Sequence, residues 1–281
     1  MIASLIIAFR ETLEAALVTG IVLSYLSRTK QTKYNGAVYA GVASGVVAAV
    51  IGAFLFSMLA EGFTGRAEQL FEGVTMLLGA LLLTTMILWM MRQRHVAQEL
   101  EARVAVEVAE AHRWGLFSIV FLAVLREGIE TVIFLGAATA TSASTGLVGA
   151  LIGIGAAIAL GYVAFVGARK VNLKTFFNVT SLLLILFAAG LVAHGVHELQ
   201  EAGLVPALIE QVWDINPPVH PDGSYPPLHE NGTIGALLKS LLGYNGNPSL
   251  IEVLSYVAYL AVVAGLWRSA SGAKKGTGHQ E

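Results

Sequence analysis

Four blocks of this sequence are almost unbroken apolar, and each has about the length of a helix that crosses a bilayer. Ala37–Ala60, Val74–Met91, Leu147–Ala168 and Phe176–Val196 approach or exceed the ~20 residues needed to cover the hydrocarbon core. No water is available there to satisfy the backbone, so such runs must be helical. Buried helices of a large soluble protein would need polar faces to cover them. Only 13% of the residues are charged against 56% hydrophobic, where a soluble domain carries roughly 25% charge. The chain therefore reads as an all-α, polytopic membrane protein.

Seven spans are expected, at about 2–26, 36–60, 71–91, 115–140, 146–168, 175–199 and 249–268. The N-terminus has no basic leader and meets a charge at Arg10, so it reads as the first span and not as a cleavable signal. Arg28, Lys30 and Lys33 follow span 1, and Arg92, Arg94, Arg103 and Arg113 follow span 3. Arg169, Lys170 and Lys174 follow span 5, and Arg268, Lys274 and Lys275 end the chain. The opposite side holds only Arg66 and Lys239. Basic residues stay cytoplasmic, which puts the N-terminus outside and the C-terminus inside. The organisation expected is one transmembrane domain over 1–268 and a cytoplasmic tail over 269–281.

Between spans 3 and 4, Val96, Leu100, Val104 and Val108 recur every four residues among charges. That pattern is an amphipathic cytoplasmic helix on the membrane or against a partner helix, or else a solvated connector. The outer loop 200–248 contains Asn216-Pro-Pro-Val-His-Pro-Asp-Gly-Ser-Tyr-Pro-Pro227, which cannot be regular helix. Its flanks, Val205–Trp213 and Thr233–Tyr244, are expected as short helices at the membrane surface. Gly235-Ala-Leu-Leu-Lys-Ser240 lacks the Gly-Lys-Ser core of a phosphate loop, so no nucleotide motif remains.

Spans 1 and 4 share Arg10-Glu11-Thr12-Leu13-Glu14 and Arg126-Glu127-Gly128-Ile129-Glu130. Spans 2 and 5 align at an offset of 110, pairing Gly36 with Gly146 and Gly45 with Gly155. Spans 3 and 6 share Phe71-x-x-Val-Thr75 and Phe176-x-x-Val-Thr180. Three spans per unit make the second copy enter from the opposite side. The expectation is a 3+3 inverted repeat, repeat 1 at about 1–91 and repeat 2 at about 115–199, with a seventh span added. Many transporters place a midplane substrate site between such repeats.

Each motif sets two carboxylates three residues apart on one helical face, with an arginine four residues before the second. Charges at this depth cost at least about 2.5–3.5 kcal/mol each and mark ion pathways by default. Glu11, Glu14, Glu127 and Glu130 are read as an oxygen cage for a hard cation, with Arg10 and Arg126 as ion-pair partners. The plainer reading is an ion-pair cluster that locks span 1 to span 4. The absence of cysteine excludes thiolate sites and disulfides, leaving oxygen and imidazole for metal. A second set lies at the outer ends of spans 3 and 6: Glu68, Glu72, His194, His197, Glu198 and Glu201, a candidate vestibule that collects metal. A net charge of −2 gives no footing for nucleic acid.

Two Arg-Glu-x-x-Glu motifs in spans 1 and 4 of a seven-span chain resemble the iron/lead permease family of fungal high-affinity iron permeases and bacterial EfeU-type transporters. Phe71-Glu72-Gly73 and His197-Glu198-Leu199-Gln200-Glu201 carry the likeness further. The resemblance implies a permease, not an enzyme, importing iron as Fe(III) or Fe(II) across a bacterial cytoplasmic membrane. It implies that Glu11, Glu14, Glu127 and Glu130 handle the ion, which is substrate and not a resident cofactor. It also implies separate extracytoplasmic iron-binding or oxidase proteins as partners. Where fungal motifs read Gly-Leu between the glutamates, the first motif here reads Thr-Leu and keeps its ligands. Two other readings stay open: a transporter of another divalent cation such as Mn(II) or Ca(II), and a non-transporting membrane assembly subunit.

Overall fold

The structure, a computed structural model, describes residues 2–92, 96–109, 112–141, 146–166, 173–206 and 208–272. Helices dominate, and no strand occurs among the described residues. In order they are α1 (Ile2–Arg28), α2 (Asn35–Glu61), α3 (Arg66–Arg92), α4 (Val96–Ala109) and α5 (Arg113–Thr141), then α6 (Gly146–Val166), α7 (Leu173–Glu201), α8 (Thr233–Leu242) and α9 (Leu250–Gly272). All seven prolines lie between 206 and 248, so none removes a donor from a long helix. Thr32–Glu61, Arg66–Trp89, Gly146–Val163, Val179–Glu201 and Leu250–Ser269 are long and apolar enough to cross a membrane. α1 and α5 have the length, 27 and 29 residues. They differ in carrying three charged motif residues near their middles. Of the basic residues used to orient the chain, Arg94, Arg169, Lys170, Lys274 and Lys275 lie outside the described residues, as does the tail from 273.

The most extensive contacts pair α1 with α6, α2 with α5 and α3 with α7. Exchanging α1–α3 for α5–α7 leaves this set of pairs unchanged. Helix direction follows from the close approaches. Along α2, Gly41, Gly45 and Ala49 meet Phe117, Phe121/Val124 and Gly128 of α5 in turn, so the two run parallel. Gly153 and Gly161 of α6 meet Leu5/Phe9 and Ala16 of α1, again parallel. Gly73 and Gly79 of α3 face Glu198 and Leu191 of α7, which run antiparallel. Small residues at these crossings let the backbones close up where lipid offers no hydrophobic drive.

The contacts also correct the register of the second helices. Gly45 packs on the Phe121 carbonyl and Gly153 on the Leu5 carbonyl, while Gly155 meets nothing within 4 Å. Leu5 and Phe121 are equivalent when the two motifs are superposed, 116 residues apart. Gly45 therefore corresponds to Gly153, two residues from the expected Gly155, because packing fixes which glycine is needed and apolar identity does not.

The two ends of the bundle are closed differently. α4 lies on α1 and α5, with Val104 fully buried among Val22, Leu26, Tyr34, Val38 and Leu116. An exposed Arg28–Glu101 ion pair adds a second tie. Of the readings offered for this helix, packing against a partner is the one found. At the other end α8 finishes at Gly243, whose φ of 70° is the left-handed conformation glycine adopts at no cost. A Cβ on Gly190 of α7 would lie 2.5 Å from the Gly243 Cα, so this pair of glycines lets α8 seat on α7.

The helix expected over 205–213 does not form among its described residues. Leu250 N donates to the Ile209 carbonyl (3.1 Å), and Val212 N donates to the Pro248 carbonyl (2.9 Å). That extended pairing takes the groups a helix would need. The proline-rich stretch is irregular as expected. Within it the Ser224 hydroxyl and amide hold the Asp222 carboxyl below its usual range.

Candidate metal centre

The motif helices meet at the middle of the bundle. In α1 the fully buried Arg10 reaches both of its glutamates, with Nη1 3.4 Å from Glu11 Oε1 and Nη2 3.2 Å from Glu14 Oε1. Its Nη1 also lies 3.4 Å from the Met86 sulfur of α3. In α5, Arg126 donates through Nη2 to Glu127 Oε1 at 2.6 Å, and its Nε lies 3.4 Å from Glu130 Oε1. Arg126 is half-exposed and sits over the Trp89 ring of α3, 5.7 Å from its centre. The two motifs are thus equivalent in pairing and unequal in burial. Met86 and Trp89, three residues apart on α3, steady one arginine each.

Across the α1–α5 contact, Glu11, Glu14 and Glu127 each bring one carboxylate oxygen within 4.8 Å of the other two. Glu11 Oε2, Glu127 Oε2 and Glu130 Oε2 are buried with no hydrogen-bond partner among the described residues. Buried carboxylate oxygens are normally satisfied, and three acidic groups this close repel one another. A cation held by oxygen ligands removes both costs. Glu130 stands beside the trio, on Arg126, and is not within the 4.8 Å set.

The vestibule residues divide into two groups. Glu68, Glu72, Glu198 and Glu201 face one another across the α3–α7 crossing, where Glu72 and Glu198 each feel the charge of the other acids. Gln69 of α3 donates to Glu201 Oε2 at 2.9 Å. The histidines turn toward α9 and the loop instead. His194 is buried, its Nδ1 2.9 Å from the Gly190 carbonyl. His197 Nδ1 lies 3.0 Å from Glu252 Oε1, and its Nε2 3.2 Å from Glu201 Oε1. His220 and His229 belong to local turns of the outer segment.

The model of the Iron permease FTR1 family matches residues 1–273. The chain belongs to the FTR1 iron permease family. It is 35% identical over 268 residues to the ferrous iron permease EfeU of Yersinia pestis, covering 92% of this chain and 90% of that protein. To EfeU of Escherichia coli it is 33% identical over 267 residues, with 92% of each covered. No solved structure matches the chain. As a family member the protein is a multi-pass membrane transporter of iron and not an enzyme.

Three residues that contact the candidate site residues were not singled out from sequence. Glu252 carries a readable signal, since Ser249-x-x-Glu252 is a capping box. Glu252 Oε1 accepts from Ser249 N (3.0 Å), and Ser249 Oγ accepts from Glu252 N (3.3 Å). Met86 and Trp89 carry none, because one thioether and one indole in an apolar helix look like any other packing residues.

Proposed function

We propose that this family member imports ferrous iron across the bacterial inner membrane, passing it through Glu11, Glu14, Glu127 and Glu130. The observation that carries the reading is the trio of buried carboxylates from two different motif helices, their oxygens within 4.8 Å. Four ionised glutamates and two arginines leave a charge of −2, which one divalent ion cancels. A buried net charge is costly, so this balance favours Fe(II) over Fe(III), in keeping with the names of the relatives.

On this reading α1 and α5 are spans as well, making seven, because their charges point into the bundle and not to lipid. The repeats enter from opposite sides, as the parallel pairing of α1 with α6 and of α2 with α5 supports. The N-terminus lies outside, since the basic residues gather at the α4 end. The acids at the α3–α7 crossing collect metal from the periplasmic side, delivered by separate extracytoplasmic iron-binding or oxidase proteins. A membrane potential of 100 mV then favours entry of a divalent ion by roughly 4.6 kcal/mol.

Uptake of radioactive iron into proteoliposomes tests the reading, with Fe(II) and chelated Fe(III) offered separately. The native protein is expected to take up Fe(II), and folded Glu14→Gln and Glu127→Gln variants to lose at least nine-tenths of that rate. Native rates in both variants would move the pathway elsewhere.

A further inference from the structure

A cavity of about 340 Å³ opens beside α8, lined by His194, His197, Glu201, Glu210, Glu230 and Lys239. It is separate from the motif glutamates, and none of the acids of α3 lines it. Two imidazoles from successive turns of α7 face it. His194 is more than nine-tenths buried, and its Nδ1 is taken by the Gly190 carbonyl. Its other ring nitrogen, Nε2, is buried with no hydrogen-bond partner among the described residues. An imidazole nitrogen left in this state costs free energy.

His197 is held in a different and more telling way. Its Nδ1 lies against Glu252 Oε1, and that carboxylate is itself almost fully buried. Glu252 is fixed by the Ser249 amide (3.0 Å) and by Asn245 Nδ2 (2.7 Å). A carboxylate on one ring nitrogen orients the imidazole and raises the basicity of the other, the arrangement that supports metal-ligating histidines. The freed nitrogen, Nε2, lies 3.2 Å from Glu201 Oε1. Neighbouring donors at right angles, each about 2.1–2.2 Å from one metal ion, lie about 3.0 Å apart. The separation found is close to that of two adjacent ligands.

We infer that His197 Nε2 and Glu201, on the wall of this cavity, form an outer binding site for a hydrated divalent transition-metal ion. Glu252 is the positioning residue of this site. The cavity is large enough for such an ion, since six waters occupy about 180 Å³. Three carboxylates and one ammonium line it, a balance of −2 with neutral imidazoles. Imidazole beside carboxylate suits Fe(II), Mn(II) or Zn(II) and does not suit Ca(II) or Mg(II). The site therefore sorts ions by type before the all-oxygen centre deeper in the bundle. Its role as an entry point rests on the transport reading above, whereas its occupation by metal does not.

The test uses the full-length protein purified in detergent, with Mn(II) as probe. Equilibrium dialysis counts bound ions, and pulsed electron paramagnetic resonance detects ¹⁴N coupling from a coordinated imidazole. Two ions are expected on the native protein, one of them with ¹⁴N coupling. Glu252→Gln keeps the volume and removes the carboxylate charge behind His197, and is expected to weaken that ion by about tenfold to a hundredfold. His197→Ala combined with His194→Ala removes it and its ¹⁴N signal. Glu14→Gln with Glu127→Gln removes the other ion and leaves the ¹⁴N signal in place. Absence of ¹⁴N coupling in the native protein overturns the site, as does coupling that survives unchanged in the double histidine variant. Two ions retained by the double glutamate variant would instead count against the motif centre and leave this site standing.

Discussion

Gly153→Ala adds one methyl group to α6 at its tightest crossing with α1, and its effect on iron binding can be worked from the contacts. The new Cβ would lie 2.4 Å from the Leu5 carbonyl oxygen and 2.9 Å from the Phe9 amide nitrogen. Both are backbone atoms, so no side chain can rotate away. Ordinary contact begins at 3.4 Å, and α1 must therefore withdraw by about 1 Å, a cost of about 1–3 kcal/mol. Phe9 is the residue before Arg10 and two before Glu11, so the withdrawal carries Glu11 and Glu14, two of the three carboxylates, with it. Metal ligand distances tolerate only about 0.2 Å. The protein must then either restore the crossing strain to bind or bind with broken geometry. If the strain is drawn on in full, affinity falls roughly 5- to 150-fold.

Gly155→Ala is the matched control, two residues along the same helix with nothing within 4 Å. Isothermal titration of Fe(II) under anaerobic conditions, in the same detergent for both variants, reads the difference. Gly155→Ala should match the native protein within about twofold. Equal affinities for Gly153→Ala and Gly155→Ala in folded protein would refute the argument that α6 sets the position of the α1 carboxylates.

Arg10→Gln should lower the thermal midpoint far more than Arg126→Gln, because Arg10 is fully buried and Arg126 half-exposed. Removing one partner of a buried pair costs about 3–5 kcal/mol. Val104→Asp should release α4 and speed proteolysis at the loop ends around it, since Val104 has no exposure. Glu101→Ala at the exposed ion pair should change the midpoint by what at most about 1 kcal/mol provides. Ser249→Ala removes the N-cap of α9 and should cost about 0.5–2 kcal/mol in a denaturation series.

The positions of the long helices were legible because length and hydropathy act locally. Each expected span falls within a few residues of a helix, including α1 and α5, where the charged motif interrupts the apolar signal. The two motifs were legible for the opposite reason, since charge inside an apolar run is costly enough to stand out. Convergence of Glu11, Glu14 and Glu127 was foreseeable from the repeat. The pairing of Glu130 with Arg126 was legible from their i,i+4 spacing, but its place outside the trio was not, because nothing in the sequence tells the buried Arg10 from the half-exposed Arg126. The register of α6 was misjudged where glycine identity was used as a guide. Gly155 and Gly153 look alike in sequence, and only the carbonyl of Leu5 tells them apart. The loop over 205–213 was misread because its backbone partners lie about forty residues away, beyond any local pattern.

The interlocking of the repeats explains how a chain can afford such a centre in lipid. Three charges in one isolated motif helix would cost roughly 7–10 kcal/mol at mid-bilayer depth. Neither repeat can cover its own motif, because the main partner of α1 is α6 and the main partner of α5 is α2. The burial of Arg10 and Glu11 in α1, and of Glu127 in α5, is therefore achieved only once both halves have come together. Each half supplies the wall that the other lacks, and the cost of the exposed charges in the separate halves becomes a drive for their association. The glycine and alanine contacts along those two parallel pairs set how closely the walls can approach. The carboxylate cluster and the crossings that hold it are in this sense one feature, and a sequence that kept the motif but lost Gly45 or Gly153 would keep its carboxylates without their geometry.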